Sequence, residues 1–563
     1  MWNVLRDRLD ALASSVLEAP EKVRTTTRLS KQTGMMWNLT TPGMKELVRI
    51  LVSGSQNPSL IYRINAKNHP SKPAIIWHGR TTSWAELDER IDRIAAGLVR
   101  RGIGRKKSVI VMMKNRQELI EIGSAAARAG AATVTISWRS TAKELAYLAN
   151  HSGAVGIAME VELLPVLEQA RAELSPELLR NVLVVGGDAP KGTSAFDSLL
   201  ESTPQKMDLR DASDDDAAVV IYTSGTTGKP KGAVRKFPKD TMQAAFRFIN
   251  ETPMRVDDVH LVACPLYHST AFGFLSLSYM LGATAVLMDH FDAPEFLRLV
   301  DEYEVTTTAV VPTMMQRLLD VDPAVRRKYD TRSLRAVFSG GAPLPGPVAI
   351  DFMDAFGDVV YNFYGATETG LVTLAKPADL RAAPGTIGKA VPGNEIRLLG
   401  EDKRDVPEGK VGELFVKNKF LVAGYHHDDA ATNESMLDGF FSVGDLARRD
   451  RDGNYFIEGR KRDMVISGGV NVYPAEVEGV LEQHPAIAEV AVVGVPDREW
   501  GERVRAFVVR RAGVSVDEGD LKTYARERLA GPKVPRDFVF LEALPRNPTG
   551  KVLKRELRER VVD

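Results

Sequence analysis

A single cysteine in 563 residues, Cys264, rules out an intramolecular disulfide. Nothing else in the composition points to an oxidising compartment, so a cytoplasmic location is expected. No apolar stretch approaches the roughly 20 residues that a membrane-spanning helix requires. The opening residues, MWNVLRDRLDALASSVL, set charges among their apolar positions and lack the uninterrupted apolar core of a signal peptide. An excess of either charge is missing too. Lys plus Arg and Asp plus Glu balance at 74 each, which leaves no global field for holding nucleic acid, and none is expected as a partner. Repeats and low-complexity tracts are absent, and the acidic run Asp214 to Asp216 reads as a solvated loop, not a metal site.

What the chain has is the balance of a large globular protein, with 44% hydrophobic and 26% charged residues. Its length exceeds what one hydrophobic core organises, so at least two domains are expected. From residue 60 onward short apolar runs alternate with longer amphipathic segments, the pattern of α/β architecture. Ser83 and Glu86 form a capping box ahead of an apolar stripe at Leu87, Ile91, Ile94 and Leu98, and Gly102 closes that helix. A strand over 108–112, a helix over 117–128 and a strand over 132–136 make a βαβ unit. Further strands are expected at 182–185, 218–223, 260–263, 307–311, 336–339 and 359–361. Past residue 385 the strands shorten and glycine increases, as at 412–417, which suggests a β subdomain closing the large unit. Beyond the charged run Gly459 to Asp463 come a helix from Pro474, strands at 488–494 and 504–510, a helix at 517–530 and a strand at 537–541. That is a normal size for a small α+β domain. The expected division is an N-terminal extension over 1–55, a large domain of stacked α/β sheets with a β subdomain over 56–461, and a small, mobile α+β domain over 462–563.

Chemistry enters at Tyr222-Thr223-Ser224-Gly225-Thr226-Thr227-Gly228-Lys229-Pro230-Lys231-Gly232, directly after an apolar strand. Glycines let the backbone turn so that successive N–H groups face one concavity, and hydroxyls and lysines add donors, which suits a polyphosphate. The spacing is not that of a Walker A loop. Ser339-Gly340-Gly341-Ala342-Pro343 follows a strand, at the edge where α/β sheets bind ligands. Alone it is equally a tight structural turn. In Tyr361-Asn362-Phe363-Tyr364-Gly365-Ala366-Thr367-Glu368-Thr369, Tyr364 offers a flat face for a purine, Thr367 a donor for an α-phosphate and Glu368 a hard oxygen ligand for Mg²⁺.

These segments, in this order, resemble the adenylate-forming superfamily of acyl-CoA synthetases, firefly-type luciferases and peptide-synthetase adenylation domains. The resemblance runs from residue 60 to the carboxyl end. It implies that ATP or AMP is held by Thr223, Ser224, Gly225, Thr226, Thr227, Gly228 and Lys231, by Gly341, Ala342 and Pro343, and by Asn362, Phe363, Tyr364, Gly365 and Thr367, with Thr223 and Glu368 as metal ligands. Asp445 in FSVGDL and Arg460 resemble the pair that holds the ribose hydroxyls, although Val443 stands where the family often has Thr. Arg462 occupies the pivot between the two domains, where the family commonly has Asp or Lys, and Ser467-Gly468-Gly469 resembles the loop beside the pantetheine arm of CoA. Lys551, in Pro545-Arg546-Asn547-Pro548-Thr549-Gly550-Lys551, matches the catalytic lysine, whose ammonium lies between the attacking carboxylate and the α-phosphate. Tyr267, His268, Phe272 and Gly273, with Gly340 and Gly341, resemble the border of an acyl pocket, where His268 gates the channel or caps a strand as a core histidine.

The expected activity is that of an ATP-dependent, AMP-forming acyl-CoA synthetase using Mg²⁺ and coenzyme A. Its substrate is expected to be a medium- to long-chain fatty acid, the overall pattern looking most like bacterial fatty acyl-CoA synthetases. An aryl or short-chain acid:CoA ligase shares every motif, a stand-alone enzyme loading a carrier protein shares most, and a catalytically silent nucleotide-binding scaffold is the alternative from another class. The amphipathic piece Met44 to Leu51 would touch a membrane peripherally or pack against its own protein, and a homodimer is a further expectation.

Overall fold

The computed structural model describes residues 28–35, 38–53, 57–204, 219–223, 231–235, 239–419, 421, 432–433, 435–467, 470–498, 500–546 and 552–560. Segments expected as strands and helices from periodicity alone fold as such. Ser108–Met112, Gln117–Arg128 and Ala132–Ile136 form the strand, helix and parallel strand of one βαβ unit. Ahead of it, Ser83 caps the helix Trp84–Arg100 by accepting a hydrogen bond from the Glu86 N–H at 3.2 Å. Only half of the expected box forms, because the Glu86 carboxylate faces Arg80 at 3.6 Å instead. Leu87, Ile91, Ile94 and Leu98 are all fully buried, each worth roughly 1.5–3 kcal/mol relative to exposure. Gly102, at φ +77, takes the left-handed turn that ends the helix.

Among the described residues, two large sheets carry the fold. The first has seven strands, and its parallel part ends with Val219–Thr223 beside an antiparallel edge strand, Lys231–Arg235. The second has nine strands. Its parallel centre runs through Val360–Ala366, Ala336–Ser339, Thr307–Val310, Val259–Val262, Thr284–Leu287 and Pro73–Trp77. Parallel strands buried on both faces read as continuous apolar runs, and both Ser108–Met112 and Ala336–Ser339 are buried along their whole length. A six-stranded antiparallel sheet built around Gly412–Lys417 and Asp445–Arg449 follows, where a β subdomain was expected.

The carboxyl-terminal unit is a five-stranded sheet dominated by the hairpin of Ile487–Asp497 and Gly501–Arg510. Its two faces are covered differently. Val490 and Val492 pack with Val477, Leu481 and Leu521 of two helices, whereas Ala491, Val493 and Val495 pack with Leu544 and Leu557 near the end of the chain. The period of two puts successive residues on opposite faces, which explains the unbroken apolar run Val490 to Val493 in this strand. Of the N-terminal extension, Leu29 is buried in an aromatic cluster with Phe248, Phe274 and Phe338, and the helix Thr41–Ser53 buries Ile50 while exposing Met44, Val48 and Val52. The extension thus packs in part against its own protein. No helix among the described residues is long and apolar enough to cross a membrane.

Candidate active site

Because the central strands of the nine-stranded sheet are parallel, their carboxyl ends share one edge, and the loops leaving them converge there. After Val259–Val262 the chain runs through Tyr267 and His268 into the helix Ser269–Met280. After Ala336–Ser339 it turns at Gly340 and Gly341. Val360–Ala366 is longer than its neighbour, since Ser339 pairs with Asn362 and four further residues project beyond the edge. This differs from the expected strand at 359–361. The projecting residues keep strand geometry because they pair antiparallel with Gly370–Ala375, and Thr367, Glu368 and Thr369 form the turn of that hairpin. The Thr369 hydroxyl accepts from the Ala366 N–H at 3.1 Å and fixes it. Gly365 is required there, because a Cβ would run into the Gly370 carbonyl.

The three loops touch. The Ser269 hydroxyl, at the first turn of its helix, lies 3.2 Å from the Thr367 hydroxyl. A Cβ on Gly341 would stand 3.8 Å from the Thr270 hydroxyl and 3.7 Å from Val311. Free N–H groups and the positive end of the helix dipole favour an anion at this helix start. His268 precedes the helix, and its Nε2 is enclosed with no hydrogen-bonding partner among the described residues. Burial lowers its pKa to about 4, so the imidazole is neutral at physiological pH.

Opposite this turn, Tyr364 donates its hydroxyl to Asp445 Oδ2 at 2.8 Å, and Arg460 Nε lies 3.0 Å from Asp445 Oδ1. Burial first, then the Asp445 charge, pushes the Tyr364 pKa well up, so it stays a donor. Burial works against the Arg460 charge, but Asp445, Tyr364, Asp463 and Glu368 outweigh it and hold its pKa above the ordinary value. A carboxylate offers about four lone-pair positions, so Asp445 keeps roughly two for further donors such as a diol.

Other expected site residues fall into three groups. Asn362 is buried and spends its amide on the Thr386 carbonyl at 2.8 Å. Phe363 lies in the aromatic cluster beneath the site, 5.1 Å from Phe274, and a Cβ on Gly340 would strike its ring. Gly340 therefore exists to let that ring pass. Ala342 and Phe272 are half-buried, Pro343 is exposed, Tyr267 is buried against His268 at 4.2 Å, and Gly273 faces open space. Thr223 and Lys231 are register partners in the hairpin of Val219–Thr223 and Lys231–Arg235, so the segment between them is its connection. Ser224, Gly225, Thr226, Thr227 and Gly228 lie outside the described residues, as do Gly468, Gly469, Lys551 and Asp214 to Asp216. Ser467 is buried at the end of its strand, paired with Gly501.

One positioning residue has no motif around it. Asn115, 2% exposed, leaves the seven-stranded sheet and inserts its carboxamide at the edge of the other. It donates to the carbonyls of Cys264 at 2.9 Å, Met288 at 3.0 Å and Val262 at 3.3 Å, and accepts from the Leu266 N–H at 2.7 Å. It thus pins the start of the loop that carries Tyr267 and His268. Lys114-Asn115-Arg116 reads as an ordinary polar loop, and nothing local could have shown this.

A crevice at the carboxyl edge of a doubly covered parallel sheet, rimmed by a tyrosine-held carboxylate, a buried arginine and a helix start, defines a nucleotide-binding enzyme of the mixed α/β class. Residues 62–426 match the AMP-binding enzyme family and residues 476–551 match the AMP-binding enzyme C-terminal domain. The chain is 33% identical to the fatty acid–[acyl-carrier-protein] ligase ScoC of Streptomyces coeruleorubidus, covering 88% of this chain and 95% of that protein. It is 35% identical to a feruloyl-CoA synthase of an Amycolatopsis species, covering 88% and 97%. The crystal structure of ATP-bound MatB from Rhodopseudomonas palustris superposes with a TM-score of 0.80 at 30% identity, over 90% of this chain and 98% of that one. The chain belongs to the AMP-binding enzyme family, and within it to the AMP-forming acid–thiol ligases.

Proposed function

We propose that the chain activates a medium- to long-chain fatty acid with ATP as an acyl-adenylate and passes the acyl group to coenzyme A. The observation that carries this is the set of Tyr364, Asp445 and Arg460 facing the Thr367–Glu368 turn and the start of the Ser269–Met280 helix. In the first half-reaction the substrate carboxylate attacks the α-phosphorus and pyrophosphate leaves. Asp445 and Arg460 hold the ribose, Thr367 donates to the α-phosphate, and the 223–231 connection grips the leaving group. Among the described residues no three His, Cys, Asp or Glu side chains cluster to cage a metal. A single buried carboxylate, that of Glu368, fits Mg²⁺ that arrives on the nucleotide, since such ions take one or two carboxylates plus substrate phosphates. Bound there, with Thr223 assigned as its second ligand from the resemblance, Mg²⁺ would neutralise phosphate charge. We assign Lys551 the cation that stabilises charge developing at the reacting atoms, an effect of about 10²–10³ in rate for a single donor.

In the second half-reaction the thiol attacks the adenylate carbonyl and AMP leaves. Rotation of the small unit about Arg462 withdraws Lys551 and presents Ser467, Gly468 and Gly469 in the same crevice. Lys551→Ala is expected to abolish acid-dependent pyrophosphate exchange into ATP while sparing thioester formation from supplied acyl-AMP; equal loss in both assays refutes the assignment. The fatty-acid reading draws support from the relative ScoC and from the open space at Gly273 on an apolar helix. An aryl acid is the second reading, favoured by the feruloyl-CoA synthase relative. Competition between alkyl acids of graded length and hydroxycinnamates in one thioester assay separates them. The exposed Met44, Val48 and Val52, with Lys45 and Arg49 beside them, support peripheral contact with an anionic membrane. Retention on anionic but not neutral vesicles, lost in Val48→Glu, tests that contact.

A further inference from the structure

The partners of four consecutive residues change sides at the junction between the two units. Arg460 pairs with Asp445, and Lys461 pairs with Glu413 at 3.0 Å while its N–H donates to the Gly444 carbonyl at 2.8 Å. All three partners belong to the large unit's six-stranded sheet or the turn leading into it. Asp463 turns the other way and accepts from Arg558 at 2.7 Å. Arg462 stands between them, its guanidinium reaching only its neighbour Asp463, at 4.0 Å, among the described residues. The chain is therefore tethered to the large unit up to residue 461 and to the small one from residue 463. Arg462 is thus the residue that stands between the two sets of tethers.

The second tether ends on a defined object. Arg558 lies in the helix Lys554–Glu559, one turn beyond Lys554, so the two side chains share a face. Lys554 pairs at 2.6 Å with Glu478, whose same oxygen accepts from the Val492 N–H at 2.7 Å. On another side of the helix, Leu557 is buried with Leu544, Phe507 and Val493. Before the helix, Leu553 N–H donates to the Pro545 carbonyl at 2.8 Å, and Arg546 pairs with Glu489 at 2.9 Å. The helix, Leu553 just before it and Arg546 are thus held to the small unit. Lys551 precedes the helix by three residues in the chain.

We propose that Asp463 and Arg558 are positioning residues, a clamp that locks the first residue past the pivot to the tail helix. A rotation at Arg462 is then delivered undiminished to the end of the chain. The inference rests on the ligase reading and on Lys551 acting in the first half-reaction. Partly exposed ion pairs contribute little to stability, so the value of this one is directional. Without it, what joins the residue leaving the pivot to the tail helix among the described residues is the Lys554 charge near Asp463 and the sheet and helix that Lys554 and Leu557 hold, with no hydrogen bond to fix the direction, and the setting of the tail relative to the crevice loosens. Misplacing a reacting group by about 1 Å costs on the order of 10²-fold in rate.

The test uses the full chain with Arg558→Met, which keeps most of the apolar stem and removes the charge, and Asp463→Asn as a second variant. Both are expected to melt within a few degrees of wild type, to lose about 10- to 100-fold in acid-dependent pyrophosphate exchange, and to form thioester from supplied acyl-AMP at rates within about twofold of wild type. Arg558→Lys, which restores a cation near Asp463, is expected to recover most of the lost exchange. Equal loss in both half-reactions, unchanged exchange, or failure of Arg558→Lys to recover it overturns the clamp while leaving the ligase reading in place. A wild-type chain that exchanges pyrophosphate with no carboxylic acid in a broad panel overturns that reading, and the clamp with it.

Discussion

Replacing Asn115 by leucine tests whether one side chain joins the two large sheets at the active-site edge. Leucine keeps the branched outline of asparagine with bulkier methyl groups, so the substitution opens no cavity, and its effect joins the lost hydrogen bonds to some crowding of the same carbonyls. Leucine leaves the Leu266 N–H and the carbonyls of Cys264 and Met288 without their partner, all at 3.0 Å or less, in a site where Asn115 is 2% exposed. A buried polar group stripped of its partner costs about 1–3 kcal/mol, so three of them ask for about 3–9 kcal/mol out of a total near 5–15 kcal/mol. The weaker contact to Val262, at 3.3 Å, is left out of the sum. Urea unfolding followed by tryptophan fluorescence reads the large unit directly, because Trp84 is fully buried in it. A midpoint lowered at constant slope is the expected result. Asn115→Asp retains the acceptor for Leu266 but points a carboxylate at three carbonyls, and is expected to be no better at neutral pH. A loss below about 1 kcal/mol in Asn115→Leu would refute the reasoning, since it would mean that the loop finds other partners at no cost.

Tyr364→Phe removes the donor to Asp445 and is expected to raise the KM for ATP by about tenfold with little change in KM for the acid, as a hydrogen bond to a charged group is worth about 1.5–3 kcal/mol and Arg460 still holds the carboxylate. Equal changes in both constants would count against a ribose site there. Gly340→Ala drives a methyl into the Phe363 ring and is expected to cost about 1–3 kcal/mol of stability; Phe363→Leu in the same chain is expected to relieve most of it, which a melting series checks. Burial depresses the pKa of His268 from 6.5 to about 4, so between those values the unfolded chain binds a proton that the native one refuses. Stability therefore falls as pH drops through this window, and His268→Gln is expected to make the denaturation midpoint less pH-dependent between pH 6.5 and 4.5 while leaving it unchanged above pH 7. His260, depressed to about 3 by burial alone, contributes to the same slope and remains in the variant.

Elements whose cause is local were readable from the residues. Ser108–Met112, Gln117–Arg128, Ala132–Ile136 and Ala336–Ser339 fall on the expected boundaries because an apolar period and a terminating glycine or loop residue lie within each segment. The strand expected to stop at Tyr361 continues to Ala366 for a non-local reason, the antiparallel partner Gly370–Ala375, whose pairing keeps Tyr364 and Gly365 extended where their residue types suggest a loop. Glu86 was assigned to a capping box, and the competing Arg80 on a neighbouring strand took its carboxylate. The residue type of Tyr364 offers a flat face for a purine and does not show that its hydroxyl is committed to a carboxylate 81 residues away.

The same contrast runs through the site. The residue types at 340, 341 and 365 do not say what each glycine serves, and the structure shows an aromatic ring against the first, a left-handed backbone at φ +79 at the second and a hairpin carbonyl against the third. Asn115 announced nothing, because its four partners lie 147 to 173 residues along the chain. A motif in such a crevice is legible when a backbone conformation or a ligand constrains the residue itself. It is illegible when the constraint lies on a distant group that the residue serves, and the proposed clamp pair, Asp463 and Arg558, is of that second kind, separated by 95 positions and joined by one hydrogen bond. Substitutions at such partners are therefore where sequence similarity to a ligase and the working of one are expected to part company.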